Sequence, residues 1–292
     1  NPAGMDANRI TNPEITSPVD ADVVSPRNDS LVEDDFNDTT YTGARISARV
    51  EFANEWSLLL GAMTQELESD GTFTADPTLG TDSPSVQRYS PDTIEDSFDN
   101  FNWTLEGRLG ELEIVYTGAY TERETDQIVD YTDYMYVGQY LPYYICDGSV
   151  SYPGAADPSG TCQAPNLYVT SASKTTVFTQ ELRFSTPSEN RWRVTAGGFY
   201  SDLELKERND FAYPGNVLAQ PFGPFAPNFP QDGYTSAPGP FPADTIFRND
   251  IRRTDEQFSI FGEASFDIVP DLLTVPLGAR YYDIEVDFEG SA

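Results

Sequence analysis

The residues of this chain that could do chemistry are unevenly supplied. None of the 292 residues is histidine. Within the chain, that removes a Ser-His triad and any His-ligated metal site. Carboxylates abound: 48 Asp and Glu stand against 17 Lys and Arg, for a formal net charge of -31 and a pI of about 4.1. Acid–base catalysis needs a carboxyl pair whose environments push its two members apart. No pair here is marked out from its many neighbours, so no catalytic residue and no enzyme is expected. Runs such as Glu33-Asp34-Asp35 and the stretch from Asp92 to Asp99 have the donor type for a divalent cation. None has calcium-loop spacing, and a solvated acidic surface without metal or cofactor is the reading favoured. The same acidity argues against a nucleic-acid partner, because a phosphate backbone needs Lys and Arg.

Two further sets of residues carry chemical potential. Cys146 and Cys162 fall in one stretch rich in Gly, Pro, Ser and Tyr. They are expected to close a small disulfide loop, which would stabilise it by about 3 kcal/mol in the chain-entropy model and implies an oxidising compartment. Aromatic residues crowd two polar stretches: Tyr131, Tyr134 and Tyr136 in one, and Phe211, Tyr213, Phe222, Phe225, Phe229, Tyr234 and Phe241 in the other. Aromatics on loops give large rigid contact surfaces at low entropic cost, so these are the candidate ligand-binding residues. Packing of the loops against one another accounts for the same rings. The Asn-x-Ser/Thr triplets at Asn28, Asn37 and Asn102 are chance matches.

Four hairpins must position these residues. In Phe101-Asn-Trp-Thr-Leu-Glu-Gly-Arg-Leu109 every odd position is apolar or Gly and every even position is polar. The phase resumes through Leu112, Ile114, Tyr116, Gly118 and Tyr120. A first unit alternates through Ala44, Ile46, Ala48, Val50 and Phe52, turns at Ala53-Asn54-Glu55, and returns through Trp56, Leu58, Leu60 and Ala62. A third runs through Phe178, Leu182 and Phe184, then Trp192, Val194, Ala196, Gly198 and Tyr200. A fourth runs through Phe258, Ile260, Gly262, Ala264 and Phe266, then Leu273, Val275, Leu277, Ala279 and Tyr281. Alternation with period two puts one greasy and one wet face on each strand.

The greasy faces are rich in Ala and Gly, and Arg and Glu sit in mid-strand opposite them. That suits a wet barrel interior better than the core of a soluble sandwich. No run approaches the roughly 20 apolar residues of a membrane helix. The chain therefore reads as all-β, an antiparallel transmembrane β-barrel segment of about eight strands from a larger barrel. Its strand hairpins are placed at 41–67, 97–124, 175–207 and 253–289, joined by short periplasmic turns. Extracellular loops are placed at 1–40, 68–96, 125–174 and 208–252. Phe52, Trp56, Phe184, Trp192 and Phe266, near the turns, fit an aromatic girdle at the membrane interface. With short turns inside, both ends of the chain fall outside the cell, and further strands are expected before and after it.

The segment Phe178-Thr-Gln-Glu-Leu-Arg-Phe-Ser-Thr-Pro-Ser-Glu-Asn-Arg-Trp-Arg-Val-Thr-Ala-Gly-Gly-Phe-Tyr200 resembles the mid-barrel hairpin of TonB-dependent outer-membrane receptors. Phe261-Gly-Glu-Ala-Ser-Phe266 with Leu272-Leu-Thr-Val-Pro-Leu-Gly-Ala-Arg-Tyr281 resembles the next hairpin. Pro276 departs from that pattern and is expected to mark a bulge. The resemblance covers the strands from about residue 40 onward. It implies part of a barrel of about 22 strands in a Gram-negative outer membrane. The implied function is TonB-coupled uptake of a scarce ligand such as a siderophore, vitamin or oligosaccharide. The implied partners are outer-membrane lipid and lipopolysaccharide, the TonB complex through a plug that these residues do not include, and a small-molecule or glycan ligand. The negative charge would repel anionic siderophores and suits a neutral or cationic ligand better. The rival reading is a barrel-derived fragment with a structural role in an extracellular assembly or filament, templated by exposed strand edges.

Overall fold

In the computed structural model, residues 28–34, 36–53, 55–71, 73–76, 79, 85–132, 134, 167–213 and 245–291 are described. Apart from a 3-10 turn at Asp29–Leu31, the regular structure among them is eight strands: β1 (Thr39–Phe52), β2 (Trp56–Asp70), β3 (Thr93–Leu109), β4 (Leu112–Asp130), β5 (Tyr168–Ser185), β6 (Trp192–Ala212), β7 (Thr245–Val269) and β8 (Leu273–Ser291). They form one antiparallel sheet in chain order, each strand pairing with the next. The expected all-β, eight-stranded antiparallel class is what the backbone shows.

Short turns lie at one end of the sheet. Gly110, at φ 66°, lets β3 reverse into β4, with Leu109 paired to Leu112. A positive φ suits Gly, which has no Cβ to clash. Ala53 and Glu55 hold φ 46° and 77° without that licence, so the β1–β2 turn is locally strained. At the other end β4, β5, β6 and β7 run farther than the alternation suggests: residues 125–130, 168–174, 208–212 and 245–252 are strand. Pro276 stays in register opposite Ser265, and the nearby register shift falls at Ile268, between Asp267 and Val269. Among the described residues β8 pairs on one side only, with β7, and Pro is tolerated on such an edge strand.

Strand register sorts the side chains into two faces. One row of the first face reads Val50, Leu58, Leu105, Tyr116, Leu182, Gly198, Ile260, Tyr281, one residue per strand from β1 to β8. Rows on either side of it extend an apolar band. Trp103 sits within it, 5.9 Å from Phe101, 6.3 Å from Tyr116 and 6.2 Å from Phe178 between ring centres. Gly118 makes room for that indole: a Cβ there would lie 2.4 Å from Trp103 Cζ2 and 2.7 Å from the Thr179 carbonyl oxygen. At the turn end Trp192 stacks on Phe266 at 4.3 Å, and the Arg191 guanidinium covers that Phe266 ring at 4.8 Å.

Towards the long connections the same face changes character. Two rows beyond Phe178, the sequence across the strands is Thr42, Glu66, Ser97, Glu124, Lys174, Lys206, Arg252, Glu289. Lys174 and Lys206, the two lysines of the chain, are directly opposite each other. Like charges in that position repel. Carboxylates offset the repulsion: Lys174 Nζ lies 2.9 Å from Glu122 and 2.6 Å from Glu124, and Lys206 Nζ lies 2.6 Å from Glu204.

The border between band and charge does not follow one hydrogen-bonded row. Phe101, Tyr120 and Phe178 mark it in one row on β3 to β5, Tyr200 and Phe258 one row lower on β6 and β7, and Tyr281 a row lower still on β8. The band therefore crosses the strands obliquely. The second face is wet along the same length, with Asn102 donating to Asn100 (2.7 Å), Asn100 to Thr121 (2.8 Å) and Arg280 to the buried Ser259 (2.8 Å).

Candidate functional site

The sheet's wet face ends, at the long-connection side, in an apolar rim. Register aligns Val129, Val169, Phe211 and Phe247 in one row across β4, β5, β6 and β7. These lie on the same face as Thr117, Glu181 and Arg183. Past the strand ends, the Tyr131 amide donates to the Leu167 carbonyl (2.9 Å), continuing the ladder by one step. The rings touch in series. Tyr131 stacks on Tyr134 at 5.3 Å with 25° between planes, meets Phe211 edge-on at 5.4 Å, and Phe211 meets Phe247 edge-on at 5.3 Å. Such offset and edge contacts are favoured by the ring quadrupole.

Exposure differs sharply among the rim tyrosines and the residues at the adjoining strand ends. Tyr131 and Tyr134 keep 39% and 41% of their surface open, while Leu167 and Tyr213 keep 0% and 1%. Burial pushes the Tyr213 phenol well above the ordinary tyrosine range, because the phenolate would lose its hydration. Its hydroxyl has no hydrogen-bond partner among the described residues. Of the aromatics singled out in the sequence, Tyr131, Tyr134 and Phe211 are thus brought together, the two tyrosines exposed and Phe211 half-buried, and Tyr213 is buried two residues beyond Phe211. Phe247 belongs with them, although the sequence reading placed it inside a loop. No local alternation marked it, because Arg248, Asn249 and Asp250 beside it are polar on both faces. Tyr136, Phe222, Phe225, Phe229, Tyr234, Phe241, Cys146 and Cys162 lie outside the described residues.

Polar contacts brace the opposite face of the same strands, the one that carries Lys206 and Arg252. Asp210 accepts two hydrogen bonds from Arg248, one of them at 2.5 Å from Nη2. Arg208 approaches the buried Asp250 at 3.4 Å. The connection from β2 to β3 folds back so that Ser85, Val86, Gln87, Tyr89 and Asp92 are buried. An Arg88–Asp92 ion pair at 2.5 Å closes it. A shallow cavity of about 270 Å³ opens beside these elements, lined by Thr93, Glu95, Asp126, Gln127, Arg208 and Asp210 among others. Among the described residues no three His, Cys, Asp or Glu side chains converge to hold a metal ion. The arrangement offers aromatic stacking and hydrogen bonding.

No family model matches the chain, and no curated protein matches it. Among solved structures, the ferric yersiniabactin uptake receptor FyuA from Yersinia pestis superimposes with a TM-score of 0.54 at 9% sequence identity. The likeness is one of fold. It covers 91% of this chain and 37% of the receptor, so the chain spans little more than a third of that receptor's length. No helix among the described residues is long and apolar enough to cross a membrane, a statement that does not bear on strands.

Proposed function

We propose that this chain is part of the barrel of a TonB-dependent uptake receptor in a Gram-negative outer membrane, with its wet face towards the lumen and its apolar band in the lipid. The band is the observation that carries this reading. It occupies about nine residues per strand, from Leu112 to Tyr120 on β4, Trp192 to Tyr200 on β6 and Leu273 to Tyr281 on β8, and about 9–11 tilted residues cross a bilayer. The oblique course of its border is what strand tilt produces, since tilted strands carry hydrogen-bonded rows at an angle to the membrane plane. Large side chains lie bare on this face, Ile46 at 71%, Trp192 at 62% and Leu277 at 79%. Exposed apolar area on that scale marks an interaction surface.

On the same reading the strands project beyond the lipid, and the aromatic rim faces the mouth of the lumen. Tyr131, Tyr134, Phe211 and Phe247 would meet the ligand, with Phe52, Trp56, Phe184, Trp192 and Phe266 as the girdle at the opposite interface. The acidity of the projecting walls favours a neutral or cationic ligand, such as an oligosaccharide or a cationic complex, over an anionic siderophore. The chain's three tryptophans, Trp56, Trp103 and Trp192, all lie on the apolar face. In vesicles with brominated acyl chains, single-tryptophan variants should be quenched, Trp103 more than Trp56 or Trp192, which sit at the band's edge. Absence of quenching at all three positions would sink the membrane reading.

A further inference from the structure

We infer that Asp130 is a positioning residue that ties the β2–β3 connection to the Tyr131–Tyr134 pair, so that the two outer segments open and close as one unit. Asp130 is the last residue of β4. Its carboxylate accepts the Thr132 amide at 2.8 Å, the Ser90 amide at 2.8 Å, and the Tyr89 amide. Its own amide donates to Asp92 Oδ1 at 2.7 Å. Asp92 Oδ2 in turn accepts from Arg88 Nε at 2.5 Å, and Arg88 Nη2 reaches Thr74 Oγ1 at 3.3 Å. On the other side, the Thr132 hydroxyl donates to the Leu167 carbonyl at 3.3 Å, and the Tyr134 amide to the Tyr131 carbonyl at 3.0 Å. A continuous chain of polar contacts thus runs from Thr74 through Arg88, Asp92 and Asp130 to the start of β5.

A turn alone does not require this. A local Asx turn uses one side-chain oxygen on the amide two residues ahead, which is the bond to Thr132. The second oxygen is spent on amides 40 and 41 positions away in sequence. Two carboxylates, Asp92 and Asp130, stand side by side in the network. One guanidinium and the converging backbone N–H dipoles offset their repulsion, as charge-assisted hydrogen bonds do in a partly dry site. Asn at position 130 keeps the turn but turns an amino group on the Tyr89 and Ser90 amides, donor against donor. The coupling itself follows from these bonds. Only the description of the tyrosines as a ligand platform rests on the proposed function.

The test is hydrogen exchange read by mass spectrometry on the whole chain in detergent, with no ligand added. Asp130→Asn is compared with Arg88→Met, which acts from the far side of the network, and with Asp126→Asn, a β4 carboxylate without a hydrogen bond among the described residues. Both Asp130→Asn and Arg88→Met should raise exchange roughly tenfold in two peptides together, one holding residues 85–92 and one holding 130–134. Asp126→Asn should leave both unchanged. If Arg88→Met loosens 85–92 while 130–134 keeps its protection, the segments are independent and the inference is overturned. Unchanged exchange in both peptides for both variants overturns it equally. Neither result touches the lipid quenching, so the two readings fail separately.

Discussion

Tyr213 and Gly118 show what single residues contribute. Tyr213 has a buried hydroxyl without a partner among the described residues. Removing an unpaired buried polar atom is neutral or stabilising, by up to about 1–3 kcal/mol. Tyr213→Phe should therefore leave the midpoint of thermal or denaturant unfolding in place or raise it. Because burial raises its phenol above the ordinary value, the neutral form belongs to the folded state. Its contribution is present below about pH 10 and is lost as pH climbs through and beyond that range. The denaturant midpoint should fall with rising pH there in the natural protein and much less in Tyr213→Phe. Gly118 carries the opposite lesson. A methyl group there collides with the Trp103 ring and a β5 carbonyl, so Gly118→Ala should cost about 1–3 kcal/mol, seen as a lower unfolding midpoint and a shifted Trp103 emission.

At the scale of strands, alternation makes neighbouring positions unequal. Leu105 faces the apolar band and Thr104 the wet side, where its hydroxyl lies 3.1 Å from that of Thr117. Leu105→Arg should destabilise the lipid-inserted form by about 2–4 kcal/mol, and Thr104→Arg far less, because Arg is penalised on the lipid side of a barrel and accepted in its lumen. Equal effects in vesicle-based urea titrations would contradict the face assignment. The same contrast explains what could be read in the chain. The hairpins were legible where greasy and wet residues alternate, as from Phe101 to Leu109. Past the band border that contrast disappears: Glu122, Arg123, Glu124, Thr125 and Asp126 are polar on both sides, and so are Arg248, Asn249 and Asp250. Backbone pairing continues regardless, so the upper strands read as loop and Phe247 was missed. Asp130's role was invisible for another reason, since its partners sit about 40 positions back and no local pattern announces them.

For the molecule as a whole, the balance of charges sets behaviour in solution. The formal charge of -31 keeps copies apart near neutral pH, and that repulsion vanishes near the pI of about 4.1. Light scattering of the detergent-dispersed chain should stay low at neutral pH and rise steeply near pH 4. Without detergent, the bare apolar face should drive association even at neutral pH. A monodisperse, detergent-free sample would contradict the lipid-facing assignment.

Lys174 and Lys206, the two lysines of the chain, meet face to face in paired strands. Side-chain amine chemistry on this protein is therefore confined to one spot. A short bifunctional amine reagent should staple β5 to β6 and leave a single side-chain bridge, a covalent record that this register had formed. A lysine-specific protease faces the converse situation. Both of its target bonds lie within paired strands, so it should cut only chains in which that pairing has come apart.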